Sequence, residues 1–440
     1  MSTMISRTQT AGTNPKKLTV SFWMKATTLG TNQGIWGCGT GAGDAVSLHF
    51  QSSDRFSLET YDGSANPKLL VNRKLRDPAA WYHIVCSIDT TNTTSTDRLK
   101  LYVNGERLTD IQQYTTITQD SDIPGWSGSG DTLKIGNRIL DGDAYFKGLL
   151  THFHVIDGTI YTPTDFAETD SVSGIWKPKT APSLSYGTNG GFYKFENSGA
   201  MGTDSSGQSN NCSVSGTLTQ NVDSPSNNFA TMNPLDNYWQ GSTLSNGNTT
   251  VLTGSSSTTY NTSSIMVNTG KFYAECKVVT GSATANIGVA GEMADATVGV
   301  LKAKEFGYAY IDDGQFGNNG SASSYGASYA NGDIIGIALD CTNNKLYFSK
   351  NGVFQDSGNP SAGSGGKTIT APASTPIGNY AFACNDTWND NTRTFSWNFG
   401  NGFFGTTAVS SAGTAASTPG IFEYDVPTGY QPLSTKGLNA

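Results

Sequence analysis

Charge is scarce in this chain: 14% of its 440 residues are Asp, Glu, Lys or Arg, and the formal net charge is −8. No cluster of Lys and Arg appears, which argues against nucleic acid or an anionic membrane surface as a partner, because both require concentrated positive charge. No run of about 18 apolar residues is present to span a bilayer. The opening Met1-Ser2-Thr3-Met4 carries no apolar leader, so a product kept soluble in a cytosol is expected. The six cysteines, Cys38, Cys86, Cys212, Cys276, Cys341 and Cys384, contain no Cys-x-x-Cys pair, which argues against a zinc site or a dense disulfide framework and for reduced structural thiols. Sustained heptads are missing, so any fibre would have to trimerise through something other than a coiled coil. No long window is dominated by Glu, Lys, Leu and Ala, so long surface helices are not expected either.

What is abundant is Gly, Ser, Thr and Asn between short apolar runs, a mixture that suits strands joined by tight turns. Leu18, Val20, Phe22 and Met24 alternate along the chain so as to share one face, as a half-buried strand requires. Tyr82, Ile84, Cys86 and Ile88 do the same, and Leu99 to Val103 runs into Asn104-Gly105, a dipeptide suited to a two-residue hairpin turn. Thr132 to Gly136 and Gly148 to Ile156 complete a first module, the latter apolar enough to lie between two layers. A second series starts at Gly270 to Val278, continues through Asn286 to Ala290 and Gly332 to Asp340, and reaches Lys345 to Lys350 followed by Asn351-Gly352. The expected fold is all-β: two antiparallel β-sandwich (jelly-roll) modules joined by a long Ser/Asn/Gly-rich connector. The expected divisions are a jelly-roll domain over 1–178, a connector with docked segments over 179–264, a second β-sandwich over 265–400, and an extended C-terminal arm over 401–440.

Leu18-Thr19-Val20-Ser21-Phe22-Trp23-Met24-Lys25, Trp81-Tyr82-His83-Ile84-Val85, Leu101-Tyr102-Val103-Asn104-Gly105-Glu106 and Leu133-Lys134-Ile135-Gly136 resemble the concanavalin-like jelly-roll family that includes laminin-G and pentraxin-type domains. Gly270-Lys271-Phe272-Tyr273-Ala274-Glu275, Ile287-Gly288-Val289-Ala290, Gly307-Tyr308-Ala309-Tyr310, Gly332-Asp333-Ile334-Ile335-Gly336 and Leu346-Tyr347-Phe348-Ser349-Lys350-Asn351-Gly352 form an ordered series similar to a SPRY domain. Three other stretches are similar to tail and capsid-associated proteins of bacteriophages: Ser6-Arg7-Thr8 with Asn14-Pro15-Lys16-Lys17, 204–211, and 223–229. These resemblances imply a virion component assembled in the host bacterial cytoplasm. They also imply a binding role, since such jelly rolls commonly hold glycans, sometimes through calcium, and SPRY domains commonly present loops to proteins. Other virion proteins and a host-surface glycan or protein are the implied partners, within an oligomer or larger assembly.

Catalysis is not expected. Glycoside hydrolysis needs two carboxylates flanking the scissile bond, and no Glu-x-Asp-x-x-Glu strand occurs. No Gly-x-Ser-x-Gly elbow lies between a strand and a helix. His152 and His154, two apart on a strand, form a metal arrangement without an obvious third ligand and read first as packed residues. Asp141-Gly142-Asp143, with Asn137 nearby, is the better calcium candidate, although Asp-Gly-Asp is also an ordinary turn. No other cofactor is expected. A sugar face calls for an aromatic platform rimmed by polar groups. Trp126 and Tyr145 are the candidates in the first module, with Trp126 either exposed or docked on a neighbouring subunit. Tyr325, Tyr329 and Trp388 lie in loop-like segments of the second module as a candidate partner surface. The leading reading is a non-catalytic phage surface protein, as head decoration, fibre or tail appendage. Its alternatives are a purely structural virion protein and, more weakly, a polysaccharide-degrading enzyme.

Overall fold

The computed structural model describes residues 3–126, 128–140, 142, 144–238, 241–254, 260–282, 284–293, 299–387, 391–413 and 420–439. Within them the chain is all-β, with one four-residue α-helix, Pro163–Phe166, and short 3₁₀ turns. It divides into two compact units, 1–220 and 221–440. Residues 179–264, expected as a connector, are therefore shared out between the units, and each part contributes strands to its own.

Unit one contains an eight-stranded sheet and a six-stranded sheet. The six-stranded sheet is centred on Lys17–Ala26, which pairs antiparallel with Tyr82–Asp89 on one side and Gly148–Asp157 on the other. Leu18, Val20, Phe22 and Met24 point into the core with Trp36, Leu48, Leu58, Leu101, Leu133 and Phe153. The period-two pattern predicts that their alternates face water, yet Thr19, Ser21, Trp23 and Lys25 are buried too. A second layer explains this. Phe166, Tyr186 and Phe192 pack on Val85 and Ile156, and Ala167 and Trp176 pack against Trp23 and Trp81. The six-stranded sheet is thus covered on both faces in this region.

Unit two pairs a seven-stranded with a nine-stranded sheet. Its core gathers Phe272, Ala274, Cys276, Ile287, Val289, Ile335, Ile337, Leu346, Phe348, Phe382 and Trp397, all inward members of alternating strands. Residues from the expected connector enter this sandwich as Met232–Tyr238, Thr250–Leu252 and Tyr260–Ser263. Residues 401–440, expected as an extended arm, instead fold back on the unit. Phe422, Tyr430 and Leu433 are buried, and residues 433 and 435 bond backbone to backbone with 230 and 228. Apolar content and backbone pairing act together: three large side chains within twelve residues are buried, and hydrogen bonds to the unit help to offset the cost of ordering the segment.

Both predicted Asn-Gly turns are present. Asn104 and Gly105 have φ of 50° and 86°, and Asn351 and Gly352 have 48° and 81°. Positive φ at both central positions is what a type I′ turn needs, and it matches the twist of the strands it joins. All six cysteines are buried free thiols.

Candidate functional site

The outward face of the eight-stranded sheet carries a compact polar cluster. It is built by two adjacent antiparallel strands, Asp44–Phe50 and Arg55–Tyr61. In the first, Val46, Leu48 and Phe50 enter the core, so Ser47 and His49 point outward; in the second, Phe56 and Leu58 enter, so Ser57 and Glu59 point outward. Register then sets the neighbours: Ser47 lies opposite Glu59, His49 opposite Ser57, and Glu59 opposite Lys68 of the next strand. Ser57 donates to Glu59 Oε1 at 2.7 Å, and Lys68 Nζ reaches the same oxygen at 2.7 Å.

The loop following Thr132–Ile135 covers this row. Gly34 and Gly37 make the covering feasible: a Cβ on Gly34 would lie 2.4 Å from the Arg138 nitrogen, and one on Gly37 would lie 3.1 Å from that of Ile139. Arg138 Nη1 donates to His49 Nδ1 at 3.0 Å. A guanidinium can only donate, so Nδ1 accepts and the ring proton sits on Nε2, 3.7 Å from Glu59 Oε1. Burial pushes the Glu59 carboxyl upward, but His49, Lys68 and Ser57 outweigh that and hold it below the ordinary glutamate value. Ser47 Oγ is buried in the same row without a hydrogen-bond partner.

The predicted residues fall variously around this cluster. Tyr145 is half-buried, and its backbone bridges to Gly34 on the strand next to this row, with its loop anchored by Gly34 N donating to Ala144 O. Asn137 is also in the loop, but its side chain is 1% exposed and committed internally, donating to Gly142 O and accepting from Arg138 N. It closes the loop rather than presenting a ligand group. Trp126 is 0% exposed and belongs to the main core. It is therefore no exposed platform, because the turn at Pro124 and Gly125 drops the indole between the sheets. Tyr325 and Tyr329 are likewise buried in the core of unit two. Their hydroxyls are used there, that of Tyr325 accepting from Phe348 N and that of Tyr329 donating to Tyr310 O. Asp141, Asp143 and Trp388 lie outside the described residues.

His152 and His154 do not share a face as a regular strand would have them. A bulge intervenes between Thr151 and His154, and His152 takes φ of 46°. His154 stacks on Phe192 at 3.9 Å and contacts the Tyr186 hydroxyl at 2.9 Å. His83 approaches Ser21 Oγ at 2.9 Å, a pairing that superficially suits nucleophilic catalysis. Trp176 Nε1, a donor only, occupies His83 Nδ1 at 3.1 Å, so the imidazole donates to Ser21 and cannot take its proton. Burial holds His83 down at about 3, leaving it neutral.

Sequence reading missed His49, Glu59, Lys68 and Arg138. The available signal was the paired alternation Val-Ser-Leu-His-Phe and Phe-Ser-Leu-Glu-Thr, two strands close enough in the chain to be neighbours. In its described part the cluster holds one carboxylate, Glu59, where acid/base hydrolysis of a glycoside uses two.

Residues 4–162 match the family model of the concanavalin A-like lectin/glucanases superfamily, and residues 271–360 match that of the SPRY domain. Among solved structures, the chain is similar to the SPRY domain of human HERC1 at 17% identity and a TM-score of 0.29, covering 38% of this chain and 96% of that one. It is similar to the heptameric SAP-like pentraxin of Limulus polyphemus at 19% identity and a TM-score of 0.27, covering 36% and 71% of the two chains. A human SPRY domain aligns at 15% identity and a TM-score of 0.26, covering 38% and 95%. A comparison with curated proteins finds no match. The chain thus carries a concanavalin A-like lectin/glucanase-superfamily domain in its first unit and a SPRY domain in its second.

Proposed function

We propose that this protein is a non-catalytic binding component of a bacteriophage particle, carried on its surface as head decoration, fibre or tail appendage. In this reading the concanavalin-like unit recognises a host-surface glycan, and the SPRY unit faces other virion proteins in a larger assembly. The observation that carries the glycan assignment is the reachable margin of the polar row on the eight-stranded sheet: Lys68 and Arg138 are partly exposed, Ser47, His49 and Glu59 are buried beneath them and fix their positions, and half-buried Tyr145 lies in the same covering loop. Sugar hydroxyls need donors and acceptors held in place, while a pyranose face is satisfied by an aromatic ring. Glu59, the single carboxylate in the described part of the cluster and held below the ordinary glutamate value, suits hydrogen bonding better than proton donation to a leaving group. Support for the particle comes from the three phage-like stretches at 6–17, 204–211 and 223–229. Six buried free thiols fit assembly in a reducing bacterial cytoplasm.

The test is binding of the full chain to a host-surface polysaccharide array, with and without calcium, beside a Lys68→Ala, Tyr145→Ala double variant. Binding by the parent that drops at least tenfold in the variant, assayed below the variant's own unfolding transition, is the expected result. Dependence on calcium would bring Asp141 and Asp143 into the site. No binding under either condition, by a protein that still attaches to particles lacking it, overturns the glycan assignment and leaves a purely structural virion protein.

A further inference from the structure

The C-terminal residues of unit two form a strap over the outward face of its nine-stranded sheet. Phe422 and Tyr430 are buried there with Tyr273, Ala338 and Tyr347, and the Phe422 ring meets Tyr273 edge-on at 5.1 Å. Gln431 and Pro432 pair in parallel with Phe272 and Tyr273. At the upstream end of the strap Ile421 N donates to Gly400 O at 2.8 Å, and the next residues are held by a buried carboxyl. Glu275, 0% exposed, accepts from the backbone N–H groups of Glu423 and Tyr424, each at 2.9 Å. Two sheet groups complete its shell, the Tyr273 hydroxyl and Asn398 Nδ2, both at 3.3 Å. Asn398 Nδ2 also donates to Ile421 O at 2.9 Å, so sheet and strap meet around this carboxyl.

The groups facing Glu275 can be taken element by element. Its own strand supplies Tyr273 on one side and Lys277 on the other, the latter's ammonium lying over the Phe404 ring at 5.9 Å, and Arg393–Asn398 supplies Asn398. The strand Ile334–Asp340 offers Gly336 beside it, with no side chain, and Ser349 lies next to Gly336. Asp333, at the start of that strand, is paired with Lys350 at 3.1 Å. The strap brings Tyr424 and Glu423, whose own carboxylate accepts from Ser410 N at 2.6 Å. Among the described residues, no cation is bonded to Glu275.

We propose that Glu275 is a proton-operated latch, seating residues 421–433 most firmly when its carboxyl is protonated and loosening them as it ionises. Burial, only partly offset by the four donors, pushes this carboxyl up to about 7. With the strap lifted, the group returns to water and to the ordinary glutamate value, so seating takes up a proton between that value and about 7. Strap stability is therefore full below the ordinary glutamate value, declines as pH rises through about 7, and is flat above. A protonated carboxyl keeps partners, because the Tyr273 hydroxyl accepts as readily as it donates. Loosening uncovers Tyr273, Ala338 and Tyr347, a partly apolar face with the opposite consequence for any partner that competes for it.

The inference concerns the second unit and stands apart from the glycan assignment. Its test is amide hydrogen exchange of residues 421–433 in the full chain at pH 5.5 and 8.5, corrected for intrinsic rates and referenced to 335–339. Protection should fall roughly tenfold or more in the parent and change little in Glu275→Gln, which mimics the protonated form. Equal protection at both pH values in the parent, or the same decline in the variant, overturns the latch. Should Glu275→Gln not fold, selective carbon labelling of glutamate in the parent decides: a midpoint near 7 supports the latch, and one in the ordinary range overturns it.

Discussion

At the scale of single residues, the same chemical type takes opposite roles according to where the backbone delivers it. Trp126 and Tyr145 both lie in Gly-rich loops, yet one is sealed in the core and the other stays half-buried in a loop beside the polar row. Their substitutions should separate accordingly. Trp126→Ala should cost about 3–5 kcal/mol by leaving a cavity between the sheets, measured by urea unfolding. Tyr145→Ala should stay within about 1 kcal/mol in that assay, as expected for a partly exposed side chain outside the core, while reducing glycan binding. Equal destabilisation by the two would mean that Tyr145 is structural. The indole, buried without a partner for its Nε1, also shows that packing volume can outweigh a lost hydrogen bond.

At the scale of elements, the hairpins are the most local part of the fold, and their glycines differ in what surrounds them. Gly105 and Gly352 both hold positive φ in Asn-Gly turns. A Cβ on Gly105 would meet Trp176 at 3.5 Å, an ordinary contact, whereas one on Gly352 would meet Tyr424 of the C-terminal strap at 2.7 Å. Gly105→Ala should therefore cost only the backbone strain of about 1 kcal/mol, and Gly352→Ala should cost about 1–3 kcal/mol more through overpacking. Thermal unfolding of the two variants compares them directly; equal losses would place the strap further from the hairpin than 2.7 Å implies.

At the scale of the whole molecule, each unit has its own core, and each draws strands from the Ser/Asn/Gly-rich middle of the chain. Fragments 1–220 and 221–440 should each unfold cooperatively, whereas 265–400, deprived of Met232–Tyr238, Thr250–Leu252, Tyr260–Ser263 and the strap, should not. Acid should distinguish the two folded fragments, since all four histidines lie in the first. Burial holds His83 and His152 down at about 3 and about 4 and His154 well below its ordinary value. Their contribution to the stability of 1–220 is full above the ordinary histidine value and is lost as pH falls through those depressed values. Calorimetry from pH 7 to 4 should show a histidine-linked loss in 1–220, removed in part by His154→Phe. A loss of equal size in 221–440 would assign the effect to carboxylates instead.

Period-two alternation, read from the sequence alone, located the core strands, and the two Asn-Gly turns located their hairpins, because both signals depend on interactions within a few residues. The all-β class followed from the same local pattern, and the domain resemblances followed from ordered series of such strands. Burial on the second face did not follow. Thr19, Ser21 and Lys25 look solvent-facing until residues 158–192 are laid across them, and that covering is set by contacts more than a hundred residues apart. The polar row was half legible: alternation turns His49 and Glu59 outward, but only register places Glu59 against Lys68, and only glycines at 34 and 37 let Arg138 lie over His49. The fate of 401–440 was likewise tertiary, because a segment rich in Gly, Ser and Thr resembles a free arm until Phe422, Tyr430 and the carboxyl of Glu275 find each other on one sheet. Local sequence specifies which way a side chain points; long-range pairing decides what it meets there.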